Sequence, residues 1–440
     1  MRPFTRPANN TDASSSEPVS TGTDTAGIKD TKDKNVSASD TLAITSNIPS
    51  PVTKTSWRDW YAALRNVLPV YISIHLAFFV ITCLSVLFIL RDFSWQAKPL
   101  YTLWQSWHHW DTGHYMEIAT YGYTRIDEFA FFPLYPLLER VLTFFTHNPL
   151  LSGLIISNLA GLGMLIVLYR LVEEDFGAER AARSILYLSV FPTAFFLAAG
   201  YNESLFIFLT LLSFYNMRHG SWWLAGIFGL LTTLTRSVGL LLLLPFCYEY
   251  LRQHHFQLKS IRFDILGGIL IPAGIGLFVL YGYFKVHDIL AIPHAEDGYS
   301  RSLQIPGYGV WLSIQNIQQS FGFLSFTTLR NLTDLVPDLF VLALLILSFV
   351  GPWRLPRHLW AYVVYAVALY LFFQLYPHTH NGVALFPLES LSRYLLEVFP
   401  AFILLAGIGK YKTLHMSYLM VSGAILFFLL TQFLTGHWVL

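Results

Sequence analysis

Apolar runs long enough to span a bilayer recur along most of the chain, separated by shorter segments dense in charge and aromatic rings. A crossing helix needs about 20 apolar residues, so the pattern predicts an all-α polytopic membrane protein rather than a barrel. The runs lie at roughly Val67 to Leu90, Leu150 to Tyr169, Ile185 to Gly200, Leu205 to Met217, Trp222 to Tyr250 and Ile265 to Phe284. They continue at Leu335 to Val350, Leu359 to Tyr376, Leu395 to Gly409 and Ser417 to Leu434. Arg236 sits in the middle of Trp222 to Tyr250, where an unpaired Arg costs at least about 2.5 kcal/mol in a membrane. The chain is therefore expected to fold back there, which gives about eleven crossings, some of them half-length.

That arrangement also satisfies the positive-inside rule. Lys54, Arg58 and Arg65 precede the first span and keep the N-terminus cytoplasmic, and Arg252, Lys259, Arg262, Arg354, Arg357, Lys410 and Lys412 then fall on the same side. Residues 1 to 55 are rich in Ser, Thr, Asp and Lys and cannot bury enough apolar surface to fold, so they are expected to form a disordered cytoplasmic tail. The tail lacks a signal-peptide pattern, and the first membrane helix is expected to act as an uncleaved insertion signal. Residues 56 to 440 form the transmembrane domain. Its extracytoplasmic loops span 91 to 149, carrying short interfacial helices, and about 285 to 334 and 377 to 394.

Composition narrows the classes. The sequence is 54% hydrophobic and 12% charged with a net charge of +1, which excludes a soluble globular protein and argues against nucleic acid. Cys83 and Cys247 both fall in apolar runs, so neither a disulfide framework nor a zinc site is expected. His378 and His380, two apart on a loop, show no ligand pattern, and no metal or other cofactor is expected.

The chemistry concentrates in the first loop, at Trp107-His108-His109-Trp110-Asp111-Thr112-Gly113-His114-Tyr115. A carboxylate beside Trp110 and three histidines at a membrane surface has the surroundings to serve as a general base. Its other reading is a helix cap within an interfacial aromatic belt. Asn202, Glu203, Arg236 and Arg393 lie at helix ends on the same face as Asp111 and His114. Charges gathered on one face of a membrane protein suggest a functional site, and guanidinium forks suit a substrate carrying phosphate. Each also has a structural reading: Glu203 as a helix cap, Arg236 as its ion-pair partner, Arg393 as an interfacial snorkelling side chain, Asn158 as a helix-to-helix hydrogen bond.

The motifs W-D-T-G-H-Y-M-E-I-A-T-Y-G-Y (Trp110 to Tyr123) and A-F-F-P-L-Y-P-L (Ala130 to Leu137) resemble the first luminal loop of the GPI mannosyltransferase 2 family and its bacterial relatives. Four later blocks resemble that family in the same order. They are S-N-L-A (Ser157 to Ala160), F-P-T-A-F-F-L-A-A-G-Y-N-E-S-L-F (Phe191 to Phe206), L-T-R-S-V-G-L-L (Leu234 to Leu241) and S-R-Y-L-L-E-V-F-P (Ser392 to Pro400). The resemblance implies a GT-C type membrane glycosyltransferase, inverting and metal-independent. Its donor would be a polyprenyl- or dolichyl-phosphate sugar, most simply mannose, and its acceptor an extracytoplasmic glycan or glycolipid. It implies Asp111 as the catalytic base, with Trp110, His114, Tyr115, Asn202, Glu203, Arg236, Arg393 and Tyr394 lining the donor and acceptor pockets. Asp127 and Glu128 stand closer to A-F-F-P than the acidic residue of the family pattern, so the resemblance gives neither a role. The membrane would be a bacterial cell membrane or, alternatively, the endoplasmic reticulum, with the site on the extracytoplasmic or luminal face.

From a different class, a transporter or flippase of lipid-linked sugars would also place arginines and aromatics in the membrane. Such a protein is expected to carry its charges near the midplane between internal repeats; here they gather on one face and no repeat is visible.

Overall fold

The computed structural model describes residues 56–89, 98–299, 301–379 and 384–437. The predicted tail over 1 to 55 and His380 lie outside the described residues.

The first helix, α1 (Trp57–Leu84), starts well before Val67 because a capping box fixes its end. Ser56 Oγ accepts from the Arg58 N–H at 3.3 Å and the Asp59 carboxylate from the Ser56 N–H at 2.8 Å. The first loop holds α2 (Tyr101–Gln105), α3 (Asp111–Tyr121) and α4 (Leu134–Thr146). On α4 the rings of Phe144 and Phe145 are exposed while Glu139 is fully buried, the asymmetry of a helix lying in a membrane interface.

Burial pushes the Glu139 carboxyl up to about 9, and its Oε2 has no hydrogen-bond partner. A folded-state pKa raised above the ordinary 4.5 contributes stability that is complete below about 4.5 and is lost as pH rises towards 9. Over that window folding weakens by up to about 1.4 kcal/mol per pH unit. Unfolding temperature in detergent is thus expected to fall from pH 6 to 8, and Glu139→Gln to flatten the slope; equal slopes would exclude this group as its source.

The chain continues through α5 (Pro149–Phe176), capped by Asn148, and α6 (Ala178–Ser189). The predicted run to Gly200 breaks after Ser189, because Pro192 has no N–H to donate and disfavours helix at Phe191. The backbone passes instead through a buried 3₁₀ turn, Ala194–Leu197, which is tolerated at depth only when protein surrounds it. Next come α7 (Glu203–Arg218), α8 (Trp222–Thr233) and, beyond Arg236, a 3₁₀ stretch (Ser237–Leu242) leading into α9 (Leu243–Gln253).

The fold-back at Arg236 is visible in its contacts. Arg236 meets Glu203 at the start of α7, whereas Gln253 at the end of α9 donates to the Met217 carbonyl at 2.8 Å, beside the start of α8. There, at the end of the bundle away from Glu203, Arg218 pairs with both Asp175 and Glu249, and Tyr362 donates to Asp175 at 2.9 Å.

The remaining helices are α10 (Leu270–Val286), α11 (Ala291–Asp297), α12 (Tyr308–Gln318), α13 (Phe326–Phe349) and α14 (Trp360–Leu375). The chain closes with α15 (Leu391–Tyr394), α16 (Phe399–Ile408) and α17 (Lys412–Leu434). α13 begins before the predicted Leu335, inside the expected 285 to 334 loop, because its charges are neutralised internally. Arg330 Nη1 and Asp334 Oδ2, one turn apart, lie 2.8 Å apart and both residues are buried.

Among the described residues six helical segments are long and apolar enough to cross a membrane: Trp57–Leu87, Pro149–Phe176, Phe263–Val286, Phe326–Phe349, Arg357–Leu375 and Lys412–Leu434. They become seven if the pair Leu391–Glu397 and Phe399–Ile408, bent by 79°, counts as one span. The protein is a mostly helical, multi-pass membrane protein, and the count falls below the predicted eleven because α6 to α9 are each too short to qualify.

Glycines let α8 meet the entry to α10 backbone to backbone. A Cβ on Gly226 would lie 2.0 Å from the Gly267 carbonyl oxygen, which cannot swing away as a side chain would. Gly226→Ala is expected to destabilise the fold by about 1–3 kcal/mol, read as a lowered unfolding temperature; an unchanged temperature would show that α8 sits farther from this segment.

Candidate active site

The element that presents Asp111 is α3, whose first residue it is. Trp110 before it holds φ +46°, a conformation costly for a residue with a Cβ, and its ring packs 5.3 Å from Phe433. The blocks singled out in the sequence brace each other around this point. Ser157 donates to the Tyr201 carbonyl at 2.7 Å, and Asn158 joins α5 both to His75 of α1 at 2.7 Å and to the Ala198 carbonyl at 3.0 Å. Ser204 donates to the Ser157 carbonyl at 2.8 Å, and Asn202, buried, donates to the Thr235 carbonyl at 2.9 Å.

Five charged side chains meet here in alternating sign. Asp111 Oδ2 lies 2.8 Å from Arg393 Nη1, and Arg393 Nε lies 3.2 Å from Glu203 Oε1. Glu203 Oε1 in turn lies 3.2 Å from Arg236 Nη1, which is 2.5 Å from Glu397 Oε1. The three carboxylates differ in access: the Asp111 side chain is 27% exposed, Glu203 1% and Glu397 0%. Only Asp111 among them is open to an incoming molecule, while Glu203 and Glu397 hold the two arginines in place.

Tyr394 is the hub of the cationic side. Its ring lies between 4.8 and 5.1 Å from the guanidinium carbons of Arg236, Arg393 and Arg301. Its hydroxyl accepts from Arg393 Nη2 at 3.2 Å and from Arg301 Nη2 at 2.9 Å. Arg301 Nε donates to His378 Nε2 at 3.0 Å. Burial, reinforced by Arg301, Arg330 and Arg393, holds His378 down to about 3, so the ring is neutral and can accept that bond. Among the described residues Arg301 has no carboxylate within salt-bridge distance, unlike Arg236 and Arg393.

The segment carrying Arg393 is itself anchored. The Ser392 N–H and hydroxyl donate to Asp334 Oδ1 at 2.9 and 2.7 Å, and Thr193 donates to the Ser392 carbonyl at 2.9 Å.

Of the remaining residues singled out in the sequence, His114 stacks on Phe131 at 4.6 Å. Tyr115 is buried between Phe131 and Tyr135, and its hydroxyl is pushed well above its ordinary range, first by burial and then by Asp111. Tyr299, raised to about 12 by burial and then by Asp111, also keeps its proton. Asp127 pairs with Arg125, and Glu128, buried, accepts the Arg125 N–H at 2.9 Å, so both are engaged in their own turn and neither joins the chain of charges. Sequence reading missed Glu397 and Arg301. Glu397 stands four residues after Arg393 in the same block, a local signal; Arg301 finds its partners 77 and 93 residues away and carries none.

A polytopic helical membrane protein with arginines and one accessible carboxylate at a single end of the bundle is the class that fold and site define. The sequence model of the mannosyltransferase (PIG-V) family matches residues 96–368, and the chain belongs to that family. It is 34% identical over 144 residues to GPI alpha-1,6-mannosyltransferase 2 of Mus musculus, covering 30% of this chain and 29% of that protein. It is 25% identical over 292 residues to GPI mannosyltransferase 2 of Schizosaccharomyces pombe, covering 61% of this chain and 60% of that one. The matches thus span less than two thirds of these curated relatives. Among solved structures it is similar to ArnT from Cupriavidus metallidurans bound to undecaprenyl phosphate, with a TM-score of 0.48, 15% identity, and 77% of this chain and 59% of that chain covered.

Proposed function

We propose that the protein is an inverting membrane mannosyltransferase that moves a hexose, most simply mannose, from a polyprenyl- or dolichyl-phosphate donor to an extracytoplasmic glycan or glycolipid. The observation that carries this reading is the pairing of one accessible carboxylate, Asp111, with arginines gathered around Tyr394. Asp111 takes the proton of an acceptor hydroxyl as its oxygen bonds to the anomeric carbon. The bond from that carbon to the phosphate oxygen breaks, and its electron pair leaves with the lipid phosphate. Arg301, which among the described residues has no carboxylate within salt-bridge distance, and the Tyr394 hydroxyl face that developing charge. Arg236 and Arg393, fixed by Glu203 and Glu397, hold Tyr394 and orient Asp111.

In this reading α6 to α9 cross the membrane as well, which gives about eleven crossings. The positive-inside pattern then puts the site on the extracytoplasmic or luminal face. The position of the charges at one end of the bundle, rather than at mid-depth, favours transfer over transport.

Proteoliposomes containing the purified chain and polyprenyl-phosphate mannose labelled in the sugar provide the test. Transfer predicts label in a new acceptor and free lipid phosphate. Intact donor that has merely changed leaflet would support the flippase reading instead.

A further inference from the structure

A second built site lies at the opposite end of the bundle. α7 starts in the active site at Glu203 and ends at Arg218, which pairs with Asp175, and the next residue, Phe176, opens onto a cavity of about 480 Å³. Arg180, Arg183 and Lys410 line it, together with Phe176, Trp353 and Gly407.

The cations are held largely by contacts other than ion pairs, Arg183 alone having a carboxylate within salt-bridge distance among the described residues. Arg180 and Arg183 each donate Nε at 2.9 Å to a carbonyl of α16, those of Ile403 and Ala406. The Arg180 guanidinium stacks 4.0 Å from the Phe176 ring, and Lys410 Nζ lies 5.0 and 5.2 Å from the rings of Trp353 and Tyr411. Glycine at 407 makes room for this arrangement, since a Cβ there would come within 2.8 Å of Arg180 Cζ. The one acid on the lining, Glu179, is 92% exposed and 3.6 Å from Arg183. Among the described residues neither Arg180 nor Lys410 has a carboxylate within salt-bridge distance.

Two guanidinium forks and an ammonium around one cavity match a phosphate group. The cavity lies where α5 ends and α17 begins, both of them spans, and Trp353 borders it as rings do at headgroup depth. Basic pockets between helices at that depth, on the side rich in Lys and Arg, bind anionic headgroups. We infer that this cavity is a binding site for the phosphate of an anionic phospholipid headgroup, separate from the site at Asp111. Inorganic phosphate shares the chemistry and serves as the comparison.

The test uses the purified full chain, with native mass spectrometry reading the retention of phosphatidylglycerol against phosphatidylcholine of the same acyl chains. Wild type is expected to retain the anionic lipid preferentially. Lys410→Gln, at an exposed position, is expected to weaken that preference about fivefold and Arg183→Gln with Lys410→Gln about 25-fold, with phosphatidylcholine unaffected. Unfolding temperature without added lipid shows that the variants remain folded; if the double variant does not, Lys410→Gln alone decides. Stabilisation by millimolar inorganic phosphate alone, lost in the same variants, would support the anion site and assign the free ion as its ligand. Equal retention of the two lipids by wild type without phosphate stabilisation, or an unchanged preference in Lys410→Gln, would overturn the proposal.

Discussion

Asp111→Asn is expected to slow sugar transfer by about 10² to 10⁴-fold while leaving the protein folded, because the amide cannot accept the acceptor's proton. The substitution is nearly isosteric, and an amide oxygen can still accept from Arg393 Nη1, now at 2.8 Å from Asp111 Oδ2. Arg393 also keeps Glu203 at 3.2 Å, so no buried charge is stranded. The measurement is the initial rate of labelled mannose transfer at equal expression, beside an unfolding curve. The same change at Glu203 or Glu397 has a different signature: both are sealed from substrate, so it loosens the arginines and lowers the unfolding temperature together with the rate.

Arg301→Gln is expected to cost about 10² to 10³-fold in transfer, the usual effect of removing a charge-stabilising donor from the oxygen that departs. Among the described residues Arg301 is the guanidinium at the site with no carboxylate within salt-bridge distance, and its bonds to His378 and Tyr394 aim it beside the other two arginines. Arg301→Lys is expected to recover part of the loss, since an ammonium keeps the charge but cannot reproduce the planar fork that reaches both partners. A wild-type rate in Arg301→Gln would move the phosphate to Arg236 or Arg393.

Which parts of this site could be read from the chain depends on how far each residue must reach. Asp111 announces itself because Trp110, His114 and the following motif are adjacent in sequence, Glu203 and Arg393 because each is a charge at the end of an apolar run, and Arg236 because it interrupts one. The fold-back at Arg236 was legible for the same reason: an arginine in mid-run has to find a carboxylate or leave the span, and here it does both at Glu203. Arg301 was not legible. Its place is set by the antiparallel bridge to His378 and the hydrogen bond to Tyr394, contacts that loop composition does not encode. The start of α13 was misplaced because hydropathy counts Arg330 and Asp334 as two charges, whereas one turn of helix makes them a buried pair. The break after α6 has its signal in Pro192, which the apolar composition of the run outweighed.

The central claim is that Asp111 acts on the acceptor and not on the binding of the donor. A single-turnover experiment isolates that step: donor labelled in the sugar is bound to wild type or to Asp111→Asn, and acceptor is then added. The account predicts equal donor binding by both proteins, rapid movement of label to the acceptor in wild type, and label that stays on the lipid phosphate in the variant. Transfer by Asp111→Asn at the wild-type rate would contradict it.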